Sequence, residues 1–365
     1  MKKIVITGGH LTPALAVADI LKRKGWRIYW LGEKFAVEGE KAQTLEHKTI
    51  PALGIPFYHI TTAKFHRKFV LRSFFSLWKL GVGFFQSLIL LVRIRPQIIL
   101  SFGSYVSVPP AAAAWVLRIP VILHEQTAAS GLANRIISKL AKKIALSFPE
   151  SLGYFPRNKT VITGNIVRES IFKIGQERLG RKRNETPVLY ITGGSRGSQI
   201  INRQVIAILP KLLPRFVIYH QTGFIDFEKI KSVRDKLPPS IQKNYSIAPL
   251  YGTGEVEKIY KDADLAISRS GANTVSELAI CAIPSILIPI PWSEENEQEK
   301  NAKLLAERGA GILLPQKNLS RTTLLRAVEE MWGSIYKFRA NARKAKELVP
   351  QNAARKLFAL IQKSV

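Results

Sequence analysis

Cysteine is almost absent from this 365-residue chain, which has only Cys281. One thiol allows no disulfide within the chain and no multi-thiolate metal centre, and it fits a reducing compartment. Acidic residues are scarce too: 26 Asp and Glu stand against 55 Lys and Arg, a net charge of +29. That excess reads either as the solvated surface of a protein from a lysine-rich proteome or as a sign of an anionic partner, nucleic acid or an anionic membrane surface. The marks of a nucleic-acid binder are missing. There is no zinc-finger spacing, no aromatic RNA-binding strand and no isolated basic tail, so no nucleic-acid partner is expected. Long apolar runs are also lacking. The longest, residues 80–92, contains Gln86 and Ser87 and is bounded by Lys79 and Arg93, short of the roughly 20 apolar residues a spanning helix needs. Met1-Lys2-Lys3 opens like a secretory signal, but its apolar stretch runs straight into Thr7-Gly8-Gly9-His10. No signal peptide is expected, and the chain reads as soluble or peripheral.

The apolar residues that are present follow a rhythm. Short β-branched runs at 4–6, 27–31, 98–102, 121–124, 143–146 and 160–163 alternate with helical patterns such as 12–24 and 130–141. A polar, basic stretch at 175–187, with Arg181-Lys182-Arg183-Asn184, interrupts the pattern. It then restarts at 188–192, 216–220, 245–248, 265–268, 285–289 and 311–314. This is the βαβ alternation of doubly wound parallel sheets, and the length suits two such domains. Residues 320–365 read as helical, with Leu324, Val328, Met331 and Trp332 at helical spacing. The expected division is 1–165, 166–340 and a C-terminal helical piece at 341–365. Ligands are expected beyond the carboxyl ends of the strands.

The strongest local signal follows the strand at 188–192: Gly193-Gly194-Ser195-Arg196-Gly197-Ser198, then a helical pattern. Glycines let backbone come close to a phosphate, and the first amides of a helix suit an anion. The spacing is neither the dinucleotide fingerprint nor a P-loop, and an ordinary tight βα turn reads the same way. A second such block is Arg269-Ser270-Gly271-Ala272-Asn273-Thr274-Val275-Ser276-Glu277, where Glu277 suits ribose hydroxyls or simply complements a helix N-terminus. The first half carries Thr7-Gly8-Gly9-His10, Gly103-Ser104-Tyr105-Val106 and His124-Glu125-Gln126, each after a strand. His10, on a glycine turn, is a better catalytic candidate than His47, His59, His66 or His220. Asp262-Ala263-Asp264 matches a metal-binding DxD, but it closes a helix and opens a strand, and no metal or other cofactor is expected. Residues 64–96 combine Phe65, His66, Arg67, Lys68, Phe69, Arg72, Phe74, Phe75, Trp78, Lys79, Phe84 and Phe85. Part of that set must pack on a sheet; the surplus fits interfacial contact with an anionic membrane.

Taken in order, these blocks resemble the MurG family, the bacterial GT-B glycosyltransferases of family 28. Also similar are Gly164-Asn165-Ile166-Val167-Arg168, Gln298 and Asn301, and the resemblance runs over nearly the whole chain. Two departures stand out. The family's Gly-Gly-Thr-Gly-Gly-His loop is shortened to Thr7-Gly8-Gly9-His10, and Thr127 stands where an asparagine is usual. The resemblance implies an α/β GT-B fold of two Rossmann-like domains. It implies inverting transfer of N-acetylglucosamine from UDP-N-acetylglucosamine (UDP-GlcNAc) to the 4-hydroxyl of the muramoyl sugar of lipid I, forming lipid II for peptidoglycan. Donor contacts are implied for Thr7, Gly8, Gly9, Thr127, Arg168, Ser195, Ala272, Asn273, Thr274, Val275, Ser276, Glu277 and Gln298. The lipid diphosphate would meet Gly8, Gly9, Gly103, Ser104 and Tyr105, and His10 would be the base. The implied location is the cytoplasmic face of the cell membrane, as a peripheral protein. Two alternatives stay open: another GT-B transferase acting on a membrane lipid such as diacylglycerol, and a degenerate nucleotide-sugar-binding protein. A sugar-nucleotide epimerase is disfavoured, because its extra catalytic acids are not found.

Overall fold

The computed structural model describes residues 1–35, 44–62, 77–180 and 185–365. The basic aromatic positions from Lys64 to Phe75 and the run Arg181–Asn184 therefore lie outside the described residues. The chain divides into two compact units, one of Met1–Val167 with Gln351–Val365, the other of Arg168–Pro350.

The first unit is built on a seven-stranded parallel sheet of β1 (Lys3–Thr7), β2 (Arg27–Gly32), β3 (Phe57–His59), β4 (Ile98–Ser101), β5 (Val121–Glu125), β6 (Lys143–Leu146) and β7 (Thr160–Ile162), in the order β3-β2-β1-β4-β5-β6-β7. Its central strands are nearly continuous in Ile, Val and Leu because helices cover both faces. Ile4, Ile6 and Leu100 pack with the helix Leu11–Arg23 and with Leu357 and Ile361 of the C-terminal helix Ala353–Ser364. Val5, Ile99 and Leu123 pack on the other face with Leu91 of the helix Leu77–Ile94 and Ala111 and Ala114 of the helix Val108–Val116. β3 was not legible in the sequence. It has three residues, none of them fully buried, so it lacks the apolar run that marks its neighbours.

The second unit repeats the plan with β8 (Val188–Thr192), β9 (Val217–Gln221), β10 (Tyr245–Ala248), β11 (Leu265–Ser268), β12 (Ser285–Leu287) and β13 (Gly311–Leu313), ordered β10-β9-β8-β11-β12-β13 and parallel throughout. Leu189, Ile191, Ile218, Leu265 and Ile267 form its core with Val205 and Leu209 of the helix Gln199–Leu212 and with Leu324, Val328 and Met331. The segment read as helical from 320 is three helices: Arg321–Gly333, Ile335–Ala345 and Ala353–Ser364. The first starts at a reciprocal cap, Thr323 N to Ser320 Oγ and Ser320 N to Thr323 Oγ1. The break between the units falls at 350–351 because the buried faces of the first two helices, Met331, Ile335 and Ala342 among them, belong to the second unit.

In both sheets the strand order reverses beside the first strand, between β1 and β4 and between β8 and β11. Such a switch point leaves a crevice at the carboxyl ends of the strands, where open α/β sheets bind ligands.

Candidate functional site

At the switch point of the first unit, the turn after β1 lies against the turn after β4. Gly8 has φ +137, and a Cβ there would come within 2.7 Å of the Phe102 carbonyl carbon. A Cβ on Gly9 would sit 3.1 Å from that of Ser104. Ser107 Oγ bridges the two turns, 2.7 Å from Gly103 O and 3.4 Å from Thr7 Oγ1. Ser104 takes the left-handed region (φ 70), which an L-residue adopts only where its surroundings enforce it. The Ser104 amide is held by Asn134, buried in the helix Leu132–Leu140. Its Oδ1 accepts from Ser104 N at 3.2 Å, and its Nδ2 donates to Glu125 Oε2 at 2.7 Å. Glu125 Oε1 then accepts from Thr127 N at 3.0 Å and lies 2.9 Å from Thr127 Oγ1. Burial raises the Glu125 pKa, while the bonds from Asn134 and Thr127 hold it down. Thr127 Oγ1 also lies 2.7 Å from Ala129 O, so that hydroxyl is engaged inside its own turn.

His10 stands at the N-cap of the helix Leu11–Arg23 without capping it through its side chain. Burial pushes its imidazole down to about 4. His124, fully buried and ring-to-ring with Phe102 at 5.3 Å, is pushed down to about 3 by burial and by nearby His10. Both rings are neutral at pH 7. Tyr105, partly exposed, opens a short 3-10 turn into the helix Val108–Val116, and its carbonyl accepts from Thr62 Oγ1. The structure thus gathers Thr7, Gly8, Gly9, Gly103, Ser104, Tyr105 and, through Asn134, Glu125 and Thr127.

In the second unit, the turn Gly193–Gly197 closes on itself by Gly197 N to Gly194 O at 3.0 Å. A Cβ on Gly197 (φ +75) would meet Thr222 O at 2.3 Å, and one on Gly193 would meet Ser198 N at 2.3 Å. Gln221, at the end of β9, pins the turn: its Nε2 is 3.0 Å from both Thr192 Oγ1 and Gly194 O, and its Oε1 accepts from Tyr251 N. Ser195 is exposed at the tip, and the helix Gln199–Leu212 begins behind it. Across the switch point, Gly271 caps the helix Ala272–Ile280, with Asn273 and Thr274 partly exposed in its first turn. Val275 donates its amide to Gly271 O and buries its side chain, so it offers a ligand no free group; Ser276 is buried as well. Arg269 is buried between the two turns. It donates to Ile288 O, Pro289 O, Ser198 Oγ and Gln316 Oε1, all neutral acceptors, and burial pushes it down to about 10. Its positive charge therefore meets the N-cap of the helix Gln199–Leu212 at Ser198, which adds to the attraction of that helix end for an anion.

Glu277 lies one turn into the Ala272–Ile280 helix, with Oε2 accepting from Tyr260 OH at 2.9 Å and Oε1 3.6 Å from Arg168 Nη2. Burial raises its pKa; Arg168 and Tyr260 oppose that rise. Gln298 begins the helix Glu297–Ala306 after two left-handed residues, Glu295 and Asn296, and its Oε1 accepts from Ile290 N at 3.1 Å. Asn301 is buried and donates to Ser270 O. Asp264 of the DxD pattern is fully buried, with its carboxylate held by Val188 N and Arg339. Among the described residues no three His, Cys, Asp or Glu side chains form a metal-binding group.

Sequence reasoning missed Asn134, Gln221 and Tyr260. Asn134 had a readable signal, a polar residue at an inward-facing position of an apolar helical pattern. Gln221 ends a strand on the ligand side of the sheet. Tyr260 carried none, since tyrosine on a helix is ordinary core.

Comparison with known proteins adds three findings. The model of the glycosyltransferase family 28 N-terminal domain matches residues 7–146, and that of the family 28 C-terminal domain matches 188–358. The UDP-N-acetylglucosamine--N-acetylmuramyl-(pentapeptide) pyrophosphoryl-undecaprenol N-acetylglucosamine transferase of Coxiella burnetii is 34% identical over 373 residues, covering 100% of this chain and 99% of its own; the enzyme of the same name from Halothermothrix orenii is 34% identical, covering 98% and 96%. The crystal structure of Acinetobacter baumannii MurG superposes with a TM-score of 0.74 at 26% identity, over the whole of both chains.

Proposed function

We infer the function from the premise that this chain belongs to glycosyltransferase family 28, with a GT-B fold and full-length likeness to lipid-linked N-acetylglucosamine transferases. It transfers N-acetylglucosamine from UDP-GlcNAc to the 4-hydroxyl of the muramoyl sugar of lipid I, with inversion, and so forms lipid II for the cell wall. The observation that carries the reading is the pair of anion-ready turns at the β8–β11 switch point, with Arg269 buried between them.

In the second unit, the amides around Ser195 and at Ala272–Thr274 hold the diphosphate. Glu277 takes the ribose hydroxyls, Arg168 the nucleotide and Gln298 the sugar. In the first unit, the turns at Gly8–Gly9 and Gly103–Tyr105 receive the lipid diphosphate. A neutral His10 accepts the hydroxyl proton as the oxygen attacks the anomeric carbon. UDP leaves as charge grows on its β-phosphate, and fixed amides and the Arg269 charge stabilise that growth without reorganising.

A membrane surface is the natural site for such an acceptor, and the helix Leu77–Ile94 supports that reading. Trp78, Val82, Phe85, Ile89 and Val92 recur at spacings of four and three and are all exposed. Trp115 and Val116, on the helix packed beside it, are exposed too. No described helix is long and apolar enough to cross a membrane, so the stripe suits a surface contact, on the cytoplasmic face where the nucleotide sugar is found.

The decisive assay supplies UDP-GlcNAc with either a lipid I analogue or diacylglycerol. UDP release and labelled disaccharide product are expected with lipid I alone. Transfer to diacylglycerol but not to lipid I overturns the assignment.

A further inference from the structure

The helix Thr253–Asp262 carries two polar side chains one turn apart, Glu257 and Tyr260, and both reach residues assigned to the donor. Glu257 Oε1 accepts from Arg168 Nη1 at 3.2 Å and from Ser170 Oγ at 2.6 Å. Tyr260 OH donates to Glu277 Oε2 at 2.9 Å. Arg168 spans the two carboxylates, reaching Glu277 Oε1 with Nη2. Resting on the donor-site reading above, we propose that Tyr260 is a positioning residue for the nucleotide ribose: it fixes the plane of the Glu277 carboxylate, while Glu257 holds Arg168 beside it.

The mounting of Tyr260 is what a positioning role requires. Its side chain is buried and its ring meets Tyr190 edge-on at 5.8 Å. The end of its helix is fastened by Arg178, which donates to the carbonyls of Tyr260, Lys261 and Ala263. The same guanidinium donates through Nε to Cys281 O at 2.6 Å, at the end of the helix that bears Glu277. One side chain therefore ties together the two helices that carry the hydroxyl and the carboxylate. A phenylalanine at 260 would fill the same volume, so packing alone gives the hydroxyl no purpose; among the described residues its acceptor is Glu277.

A carboxylate free to rotate loses the alignment that lets it take two vicinal hydroxyls. The ribose is therefore the part of the ligand that should report Tyr260→Phe. The experiment measures calorimetric binding of UDP and of 2′,3′-dideoxy-UDP, which lacks both ribose hydroxyls, to the full-length wild type and to Tyr260→Phe. The variant is expected to bind UDP about tenfold more weakly, in line with the loss of one hydrogen bond to a charged group, and to bind the dideoxy compound as the wild type does. KM for UDP-GlcNAc should rise by a similar factor with kcat unchanged. Because the comparison sets two ligands against each other on one protein, a general loss of stability cannot imitate it. Equal weakening toward both nucleotides, or no weakening toward UDP, overturns the proposal. A wild type that binds neither nucleotide overturns the donor site itself, and the proposal with it.

Discussion

Gly197→Ala tests the phosphate cradle at its tightest point, and Gly194→Ala supplies its control. Both glycines have positive φ, +75 and +83. A left-handed backbone costs an L-residue roughly 1–2 kcal/mol. At Gly194 that is the whole cost to the free protein, because an added Cβ meets nothing within 4 Å. At Gly197 the Cβ would lie 2.3 Å from Thr222 O and 2.6 Å from the Gly223 Cα, both backbone atoms. The turn must retreat by roughly 1 Å to restore contact distance, and Thr222 and Gly223 are themselves bonded to Ala248 O and Pro249 O. Amide–phosphate bonds work only between about 2.7 and 3.2 Å, and each is worth about 1.5–3 kcal/mol when charge-assisted. Losing one weakens UDP by about 10- to 100-fold. Thermal melting should show Gly194→Ala down by roughly 2–8 °C and Gly197→Ala down clearly further. Calorimetry with UDP supplies the affinity. A Gly197→Ala protein that melts with Gly194→Ala and binds UDP as the wild type does would refute the cradle.

Four other outcomes are expected. His10→Ala should lower kcat by at least about a hundredfold and leave the UDP dissociation constant unchanged; full activity removes the base assignment. At saturating donor the acid limb of wild-type kcat should lie toward pH 4, since the imidazole must be neutral to act and burial holds it so down to about 4; a limb near 6.5 contradicts this. Phe85→Ser should reduce sedimentation with anionic vesicles by about tenfold, from the apolar area of one exposed aromatic, while activity on a soluble short-chain acceptor stays within about twofold. His220, buried between Tyr245 OH and Asn202 Oδ1 and pushed down to about 3, adds stability that is full above its ordinary 6.5 and is lost as pH falls through the window from 6.5 to about 3. Denaturant melts of His220→Gln should therefore start lower at pH 7.5 and fall less steeply toward pH 4 than those of the wild type.

What the sequence disclosed follows from what determines each feature. Strands β1, β4, β5, β8 and β11 were readable because burial on both faces demands runs rich in Ile, Val and Leu. β3 was not, since an edge strand of three half-exposed residues carries no such demand. The glycine turns were readable because steric need falls on the residue itself: Gly8, Gly193 and Gly197 admit no Cβ. The supports behind them were not. Asn134, Gln221, Tyr260 and Arg178 act through partners 9 to 103 positions away, and spacing along a chain does not encode which distant groups will meet. Val275 shows the converse. It belongs to a readable block, yet its helix spends its amide on Gly271 and its side chain on the core.

The shortened loop after β1 gains its meaning from the same geometry. Only Gly8, Gly9 and His10 lie between the end of β1 and the helix Leu11–Arg23, a length well inside the range of βα connections. Within this loop Gly8, at φ +137, lies close against the backbone of Phe102. That contact joins the first turn to the second, and Ser107 and Asn134 tie the second to Thr7 and Glu125. The two turns of the first unit therefore form one hydrogen-bonded body in which His10 is fixed at a helix cap. The second unit reaches rigidity differently, through Arg269 set behind neutral acceptors and a carboxylate–guanidinium–phenol set at Glu277, Arg168 and Tyr260. In the first unit, a connection this short, tied to a second turn that Asn134 braces against Glu125, has little freedom of its own. Any side chain at position 8 would press on the Phe102 backbone, which bonds Thr7 O at the end of β1, so Gly8→Ala should lower kcat; full activity in that variant would show that the role proposed for His10 does not need this contact.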